Sequence, residues 1–492
     1  MAEVAGLALG IAGIAGTIDV CIKCGKYLVQ ACKDYDQTDV IVNELCVRIE
    51  ICWSRIASQL EVVKELEHNL NDDDQKLQTR VLHILRSKLE AAIAAISKPD
   101  KYGPSKRVKA LHFLSLREPL ESTVADLESW QQRFEPSWFQ VIKTAPPAVD
   151  QLLQNCPKVG GRHREEPAYE GLKFRQAFGE SRSDLLAEKV LATLETASIL
   201  HSNAVFATRK EDGKPFILDS VSSTSVTLRD ARQLASRLRD SNPITFGTLK
   251  CRGIVRLPKK ESLIFVFRLP DGYNKVQSCR QLLLSGFMPH SLTMRLKIAR
   301  QLVTAVYYIH LYEFVHKGIT PETILLLGNS EKMNDDLLVC LVGFQLFGHV
   351  ETPTNTSKTN RKDSLYQHPS RASGSEAKFV MQHDIYSLGV CLLEIGLWQS
   401  AVQYVSGNPQ VSSNLQDLDP EATKERLVSL SRSELRVTMG DIYSKVVETC
   451  LTCLDEDNME FGDPRDFEDD CGVEVGSRYV KKIMEVMSVI NY

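Results

Sequence analysis

The hydrophobic pattern of this 492-residue chain changes character once, near residue 155, and this change limits what the chain can fold into. Before it, apolar residues recur every three or four positions and no convincing strand is present, which is typical of amphipathic helices packed in a bundle. After it, short β-like runs appear before the helical spacing returns. A chain of this length exceeds one ordinary core, so the sequence predicts two or three domains.

The first third of the chain carries helical stripes of apolar residues separated by short polar segments. Residues 40–66 and 75–98 carry the longest stripes, and further helices are predicted over 117–131 and 136–154. The sequence therefore predicts an all-helical bundle over residues 1–155.

The opening segment is rich in Gly and Ala and carries no charge between Glu3 and Asp19. Its 15 uncharged residues would rise about 22 Å as a helix, short of the roughly 30 Å hydrocarbon core of a bilayer, so a lone monomeric span is not expected. The segment either packs closely inside the bundle or, once released, associates with its own copies in lipid through its small residues. The residues of this candidate membrane and oligomerisation helix are Val4, Gly6, Leu7, Gly10, Ile11, Ile14 and Ile18.

The start GLALGIAGIAGTIDVCIKCGKYLVQA, followed by long amphipathic helices, resembles the fungal HeLo (prion-inhibition and propagation) domain over residues 1–155. In that family the bundle executes cell death, and its first helix attacks the membrane after oligomerisation. The resemblance implies a membrane-active helix at Val4–Ile22, a homo-oligomer on activation and membrane lipids as a partner. It also implies a cytoplasmic resting state, a move to the plasma membrane, and a role in programmed cell death of the heterokaryon-incompatibility type.

The remaining chain is predicted to contain a linker or brace over 156–185 and then a second domain over 186–492. The linker mixes Gly, Pro and both charge signs with little periodicity. The second domain begins with strands and continues with helices, which predicts a multidomain α+β protein with a strand-rich lobe over about 186–270 and a helical lobe over about 271–492. The clearest elements of these lobes are strands at 214–221 and 262–270 and helices at 227–240 and 292–311.

Several motifs of the second domain follow the order found in protein kinases. FVHKGITPETILLL (314–327) resembles the catalytic loop, whose usual form is H-R-D-L-K-P-E-N. LVGFQLF (341–347) stands at the place of D-F-G, and HDIYSLGVCLLEIGLW (383–398) resembles the long buried helix of the helical lobe. The resemblance implies a two-lobed protein-kinase-like fold. The residues that match its structural motifs are His316, Pro321, Glu322, Phe344 and Asp384.

The positions that hold the catalytic and Mg²⁺-binding residues in kinases carry residues here that can neither accept a proton as a carboxylate does nor bind Mg²⁺ in that way. A kinase uses one carboxylate to accept a proton, and an Asn and an Asp to hold Mg²⁺. By the resemblance, Gly318 and Gly343 replace the two aspartates and Thr323 replaces the asparagine. The first lobe also lacks a Gly-rich loop, and Asp219 stands near the place of the expected lysine. The chain is therefore predicted to be a pseudokinase with no cofactor and no metal, although nucleotide binding without hydrolysis stays open.

The segment 348–379 is polar and rich in Ser and Thr, at the place of an activation loop. Such a segment is typical of a solvated loop. A phosphorylation switch is the alternative, because added charge at Thr352, Thr356 or Ser364 could order the segment. This alternative implies an upstream kinase or receptor as a partner.

Composition excludes other classes of function. A net charge of -4, without a basic stripe that alternates with aromatic residues, predicts no nucleic-acid partner. The chain has thirteen cysteines, and its first segment lacks the basic n-region of a secretion signal. Such a chain typically keeps reduced thiols in the cytosol. Three functions agree with these features: a regulated cell-death effector, a non-catalytic signalling scaffold, and an unconventional active Ser/Thr kinase.

Overall fold

The computed structural model describes residues 13–33, 40–70, 72–96, 106–155, 167–179, 185–285, 291–329, 337–349, 365–372, 379–406, 419–458, 480, 482–487 and 489–490. The chain divides into two compact units, Met1–Gln176 and Ala177–Tyr492. An N-terminal helical region is followed by a mixed sheet and further helices, an order consistent with a two-lobed kinase-like fold.

The described part of the first unit consists of helices. They are α1 (Ile14–Lys33), α2 (Val40–Glu65), α3 (Asp72–Ile96), α4 (Lys106–Thr144), α5 (Val149–Asn155) and α6 (Pro167–Gln176). The helices predicted over 40–66 and 75–98 are confirmed as α2 and α3. Each forms because its apolar residues repeat at helical spacing and the resulting face can be buried against its neighbours. None of the helices among the described residues combines the length and the apolar character needed to cross a bilayer.

The prediction of two separate helices over 117–131 and 136–154 is wrong. Helix α4 runs without a break through Pro119 and Pro136 and ends at Thr144. Proline removes one backbone hydrogen bond from a helix. The burial of large residues on both sides of Pro136 offsets this cost. A continuous helix places all of them in one core. These residues are Trp130, Phe134, Trp138, Phe139 and Ile142.

The segment predicted as a linker over 156–185 contributes the helix α6. Proline at its first position suits a helix start, because the missing N–H would have no partner there in any case. The helix packs against α2, α4 and α5 of the first unit. Its Gly171 permits a close approach, since a Cβ at this position would lie 2.5 Å from the ring of Trp138.

The first lobe of the second unit is built on a six-stranded sheet of order β1-β5-β6-β4-β3-β2. Its strands are β1 (Leu185–Leu186), β2 (Leu194–Ser198), β3 (Val205–Arg209), β4 (Pro215–Ser222), β5 (Lys250–Leu257) and β6 (Ser262–Arg268). The helices of this lobe are α7 (Lys189–Ala192), α8 (Leu228–Leu238) and α9 (Pro243–Phe246). The elements predicted at 214–221, 227–240 and 262–270 are confirmed as β4, α8 and β6.

The second lobe is mainly helical. Its helices are α10 (Cys279–Leu284), α11 (Leu292–Leu311), α12 (Pro369–Ala372), α13 (Met381–Leu397), α14 (Ala401–Ser406), α15 (Pro420–Leu430) and α16 (Arg436–Leu451). Two small sheets accompany them, with strands β7 (Lys275–Ser278), β8 (Phe314–Val315), β9 (Ile324–Gly328), β10 (Leu338–Leu341) and β11 (Gly348–His349). Helix α13 is buried on almost every side between α11 and α16, as expected for a helix that is hydrophobic all round.

Candidate functional site

The loop between β8 and β9 is held in place by the carboxylate of Asp384, in the first turn of α13. Oδ2 accepts the backbone N–H of His316 at 2.7 Å, and Oδ1 accepts the backbone N–H of Lys317 at 2.8 Å. The second bond fixes Lys317 at a φ of 62°, in the left-handed region that non-glycine residues rarely adopt. The ring nitrogen Nε2 of His310 lies 3.1 Å from Oδ2.

The charge of Asp384 is stabilised although the residue is fully buried. Burial alone would raise the pKa of its carboxyl, but the neighbouring His310 and His316 and their hydrogen bonds hold this pKa below its ordinary value. Burial lowers the pKa of His316, which favours its neutral form. The Nε2–H of His316 donates to the carbonyl of Val342 at 2.9 Å, and its ring lies 5.0 Å from the ring of Phe344. The loop and the segment after β10 are thus joined in one buried cluster.

The three positions predicted to have lost their chemistry lie together in this cluster. A Cβ on Gly318 would lie 3.8 Å from the carbonyl oxygen of Gly343, and a Cβ on Gly343 would overlap Thr323. Gly343 has a φ of 85°. The hydroxyl of Thr323 donates to the carbonyls of Gly318 and Thr320, at 3.1 and 2.9 Å. The side chain of Thr323 therefore fills the space that a larger residue at 343 would need, and its hydroxyl is bound to the loop itself.

The residue that joins this cluster to the first lobe is Asp219 on β4, which sequence reasoning placed near an expected lysine without giving it a role. Its Oδ2 accepts the backbone N–H groups of both Gly343 and Phe344, at 2.9 Å each. The residue is fully buried, and burial raises the pKa of its carboxyl to about 6, although the two hydrogen bonds act in the opposite direction. Its other oxygen, Oδ1, is enclosed and has no hydrogen-bond partner among the described residues. A carboxylate of the first lobe thus binds the turn after β10.

The chemistry available to this arrangement is limited. Two backbone N–H groups that could receive an anion are bound by Asp219, and the side chains at 318, 323 and 343 supply no carboxylate. Nowhere in the described ranges do three or more His, Cys, Asp or Glu side chains gather in a way that could hold a metal ion.

A second buried network surrounds Arg280 on α10 and includes two of the predicted structural residues. Its Nε donates to Glu322 at 2.7 Å, and its backbone N–H donates to the carbonyl of Pro321 at 3.1 Å. One guanidinium nitrogen lies 3.0 Å from Glu394 of α13, which also accepts the hydroxyl of Tyr366 at 2.9 Å. Sequence reasoning missed this network. A Glu inside the apolar second half of α13, residues 390–397, was the available signal, because a buried carboxylate needs partners.

The predicted membrane helix is only partly within the described residues. Val4, Gly6, Leu7, Gly10 and Ile11 lie outside them, whereas Ile14 and Ile18 are buried in the bundle, 3% and 0% exposed. The N-terminus of α1 is capped by Glu67, whose carboxylate accepts the N–H of Ala15 at 3.2 Å.

The predicted phosphorylation positions Thr352, Thr356 and Ser364 also lie outside the described residues. Their role therefore stays a prediction.

Comparisons with known proteins support a kinase-like region. No family model matches the chain. It is 36% identical to Eukaryotic translation initiation factor 2-alpha kinase 1 of Rattus norvegicus over 107 residues, which is 20% of this chain and 17% of the relative. It is 27% identical to the mitogen-activated protein kinase kinase mkk2 of Aspergillus fumigatus over 156 residues, 32% of this chain and 29% of the relative. The chain thus matches less than a third of the length of these relatives, and the similarity indicates a region that resembles protein kinases.

Proposed function

We propose that the chain is a fungal regulated cell-death effector of the incompatibility type, in which a catalytically inactive kinase-like domain controls a HeLo-like, membrane-permeabilising helical bundle. At rest the protein is cytoplasmic. On activation it forms a homo-oligomer at the plasma membrane, in response to an upstream receptor or kinase.

The observation that carries the proposal is the carboxylate of Asp219, which binds the turn after β10. Phosphoryl transfer depends on cations and on N–H groups that neutralise phosphate. Here Asp219 places a carboxylate on the N–H groups of Gly343 and Phe344. A phosphate brought to the same place would meet a like charge, so the domain is proposed to work through its shape and its partners.

The bundle supports the other half of the proposal. Ile14 and Ile18, two members of the predicted membrane stripe, are covered by neighbouring helices, and α1 is held by Glu67 at its N-terminus and by an ion pair between Asp19 and Lys64, 2.7 Å apart. Apolar residues that are sheltered at rest and held by a few polar contacts suit a helix that must be exposed only on activation.

The first test is nucleotide binding and turnover by the purified full-length chain. We expect no metal-dependent ADP formation, and no rise of the melting temperature with Mg·ATP, because a ligand raises this temperature only when it binds the folded state. ATP turnover that is lost on replacing Asp384 with alanine in a variant that still folds would favour the alternative of an unconventional active Ser/Thr kinase.

The second test is membrane permeabilisation. The first unit, residues 1–176, is expected to release dye from anionic liposomes, and deletion of residues 1–22 is expected to stop the release. In cells, the intact chain is expected to reduce viability and the deleted chain is not. An inert bundle together with harmless overexpression would favour the alternative of a non-catalytic signalling scaffold.

A further inference from the structure

Helix α2 turns apolar side chains to solvent along its first half. Val40, Val47 and Ile51 are 85%, 45% and 55% exposed. They are spaced by seven and four positions, so they lie on one face of the helix, in a stripe about 16 Å long. The opposite face, with Leu45 and Ile49, is buried in the bundle. The stripe is therefore apolar surface that the packing of the first unit leaves in contact with solvent.

Charged residues border this stripe on both sides. On the side of α1, Lys33 pairs with Glu50 at 3.3 Å, and on the side of α4, Arg48 pairs with Glu128 at 2.8 Å. All four side chains are partly exposed, so the neighbouring helices flank the stripe without covering it. An apolar centre with a charged, solvent-accessible rim is the usual anatomy of a protein–protein interface.

The charges around the stripe limit which partner can cover it. Glu44 is exposed between Val40 and Val47, one turn before Arg48 and on the same flank of α2. A partner that covers the stripe must bring a positive charge to Glu44 and a negative charge to Arg48. An anionic lipid surface would instead repel both Glu44 and Glu50. The stripe therefore fits a protein surface that carries both charge signs beside apolar residues.

A second copy of α2 is such a surface when it lies antiparallel to the first. A two-fold axis brings the same flank of each helix together while the chains run in opposite directions. If the helices cross near position 46, Glu44 of each copy lies level with Arg48 of the other. The apolar stripes then meet between two ion pairs. A parallel pair would place Glu44 level with Glu44, so like charges would oppose each other.

We propose that the exposed stripe of α2, formed by Val40, Val47 and Ile51, joins two copies of this chain as an antiparallel, two-fold pair. A two-fold pair is closed, so its product is a dimer and not an open filament. The apolar contact is smaller than that of permanent complexes, so the dimer forms at about 10 µM protein and dissociates on dilution. That this dimer is a step toward the active homo-oligomer rests on the proposed function, whereas the association itself does not.

Sedimentation velocity of the full-length chain tests the association. The wild type is expected to pass from monomer to dimer as its concentration rises from about 1 to about 100 µM. Val47→Asp and Ile51→Asp are each expected to weaken the dimer by at least about tenfold, because each places a charge in the apolar contact. The matched control is Val437→Asp in α16 of the second unit. Val437 is 89% exposed, so this variant should associate as the wild type does.

Charge reversal tests the antiparallel register. Glu44→Lys alone sets two cations against each other at both ends of the pair, and Arg48→Glu alone sets two carboxylates against each other. Each variant is therefore expected to be monomeric by itself. An equimolar mixture of the two is expected to restore the dimer, because both contacts of the heterodimer again join opposite charges. Rescue by mixing also shows that both variants are folded.

Three outcomes would overturn the proposed dimer. They are a wild type that stays monomeric at the highest concentration, a mixture that stays monomeric while the wild type dimerises, and a Val47→Asp variant that loses binding to anionic vesicles but not self-association. Liposome leakage measured on the same proteins separates the two ideas. A dimer without leakage would leave the α2 contact standing and count against the proposed function, whereas leakage by a monomeric wild type would do the reverse.

Discussion

Replacing Asp219 with asparagine separates the shape of this side chain from its charge. Both N–H groups that it binds, those of Gly343 and Phe344, donate to the same oxygen. An amide that turns its oxygen toward them keeps both hydrogen bonds. The variant therefore removes the buried charge and leaves the turn after β10 capped.

The expected magnitude follows from the pKa of Asp219, which burial raises from 3.8 to about 6. A difference of about two pKa units corresponds to about 3 kcal/mol between the two protonation states. Because the folded-state pKa is the higher one, the stability tied to this proton is complete below about pH 4 and is lost as the pH rises to about 6. Asp219→Asn is therefore expected to raise the free energy of unfolding of the second unit at pH 7 by up to about 3 kcal/mol.

Hydrogen exchange of the β4 and β6 amides in increasing urea, between pH 4 and pH 8, measures this free energy for the second unit alone. The gain from Asp219→Asn should disappear near pH 4, where the wild-type carboxyl is mostly protonated. Asp219→Ala is the matched control, because it leaves two buried N–H groups unpaired and should destabilise the unit by about 1–3 kcal/mol for each. An asparagine variant that is less stable than the wild type at pH 7, or whose gain is the same at pH 4, would refute this reasoning.

Three further substitutions test the packing of the two units. Gly343→Ala is expected to destabilise the second unit by about 1–3 kcal/mol, because its φ of 85° is strained for alanine and its Cβ would overlap Thr323; an unchanged urea midpoint would contradict this. Glu67→Ala removes the cap of α1 and is expected to cost about 1 kcal/mol, seen as faster exchange in the first turns of α1 while α3 is unchanged. Gly25→Ala is expected to destabilise the first unit by about 1–3 kcal/mol or more, because a Cβ would overlap the ring of Trp53; a melting temperature equal to the wild type would show that the two helices can move apart.

Hydrophobic spacing located the long helices because their stability comes from one continuous apolar face, and such a face is visible in the sequence. The break predicted between 131 and 136 is wrong, because helix α4 continues through Pro136. The proline removes one hydrogen bond, whereas Trp138 and Phe139 just after it are completely buried, and this packing depends on helices far away in the chain. The helix α6 was missed because its apolar residues are too few to stand out from the charged segment around it.

The part of the site that could be predicted is the part carried by residues close together in the sequence. The segment from His316 to Glu322 was found through its resemblance to the catalytic loop of protein kinases, which is visible in neighbouring residues. The role of Asp219 could not be found in this way, because its partner Gly343 lies 124 positions later in the chain. An acidic residue at a buried position of an apolar strand was the available signal, since such a residue requires a partner somewhere in the fold.

The polar groups around Gly343 and Thr323 are bound mainly to one another. The N–H of Gly343 is taken by Asp219, the ring nitrogen Nε2 of His316 by Val342, and the hydroxyl of Thr323 by its own loop. A nucleotide at this place would have to break such contacts before it could form its own. It would also meet the buried carboxylate of Asp219, where kinases present positive charge to phosphate. We therefore expect any signal that this domain receives to act on its outer surface, because the polar groups around Asp219 are already paired with one another.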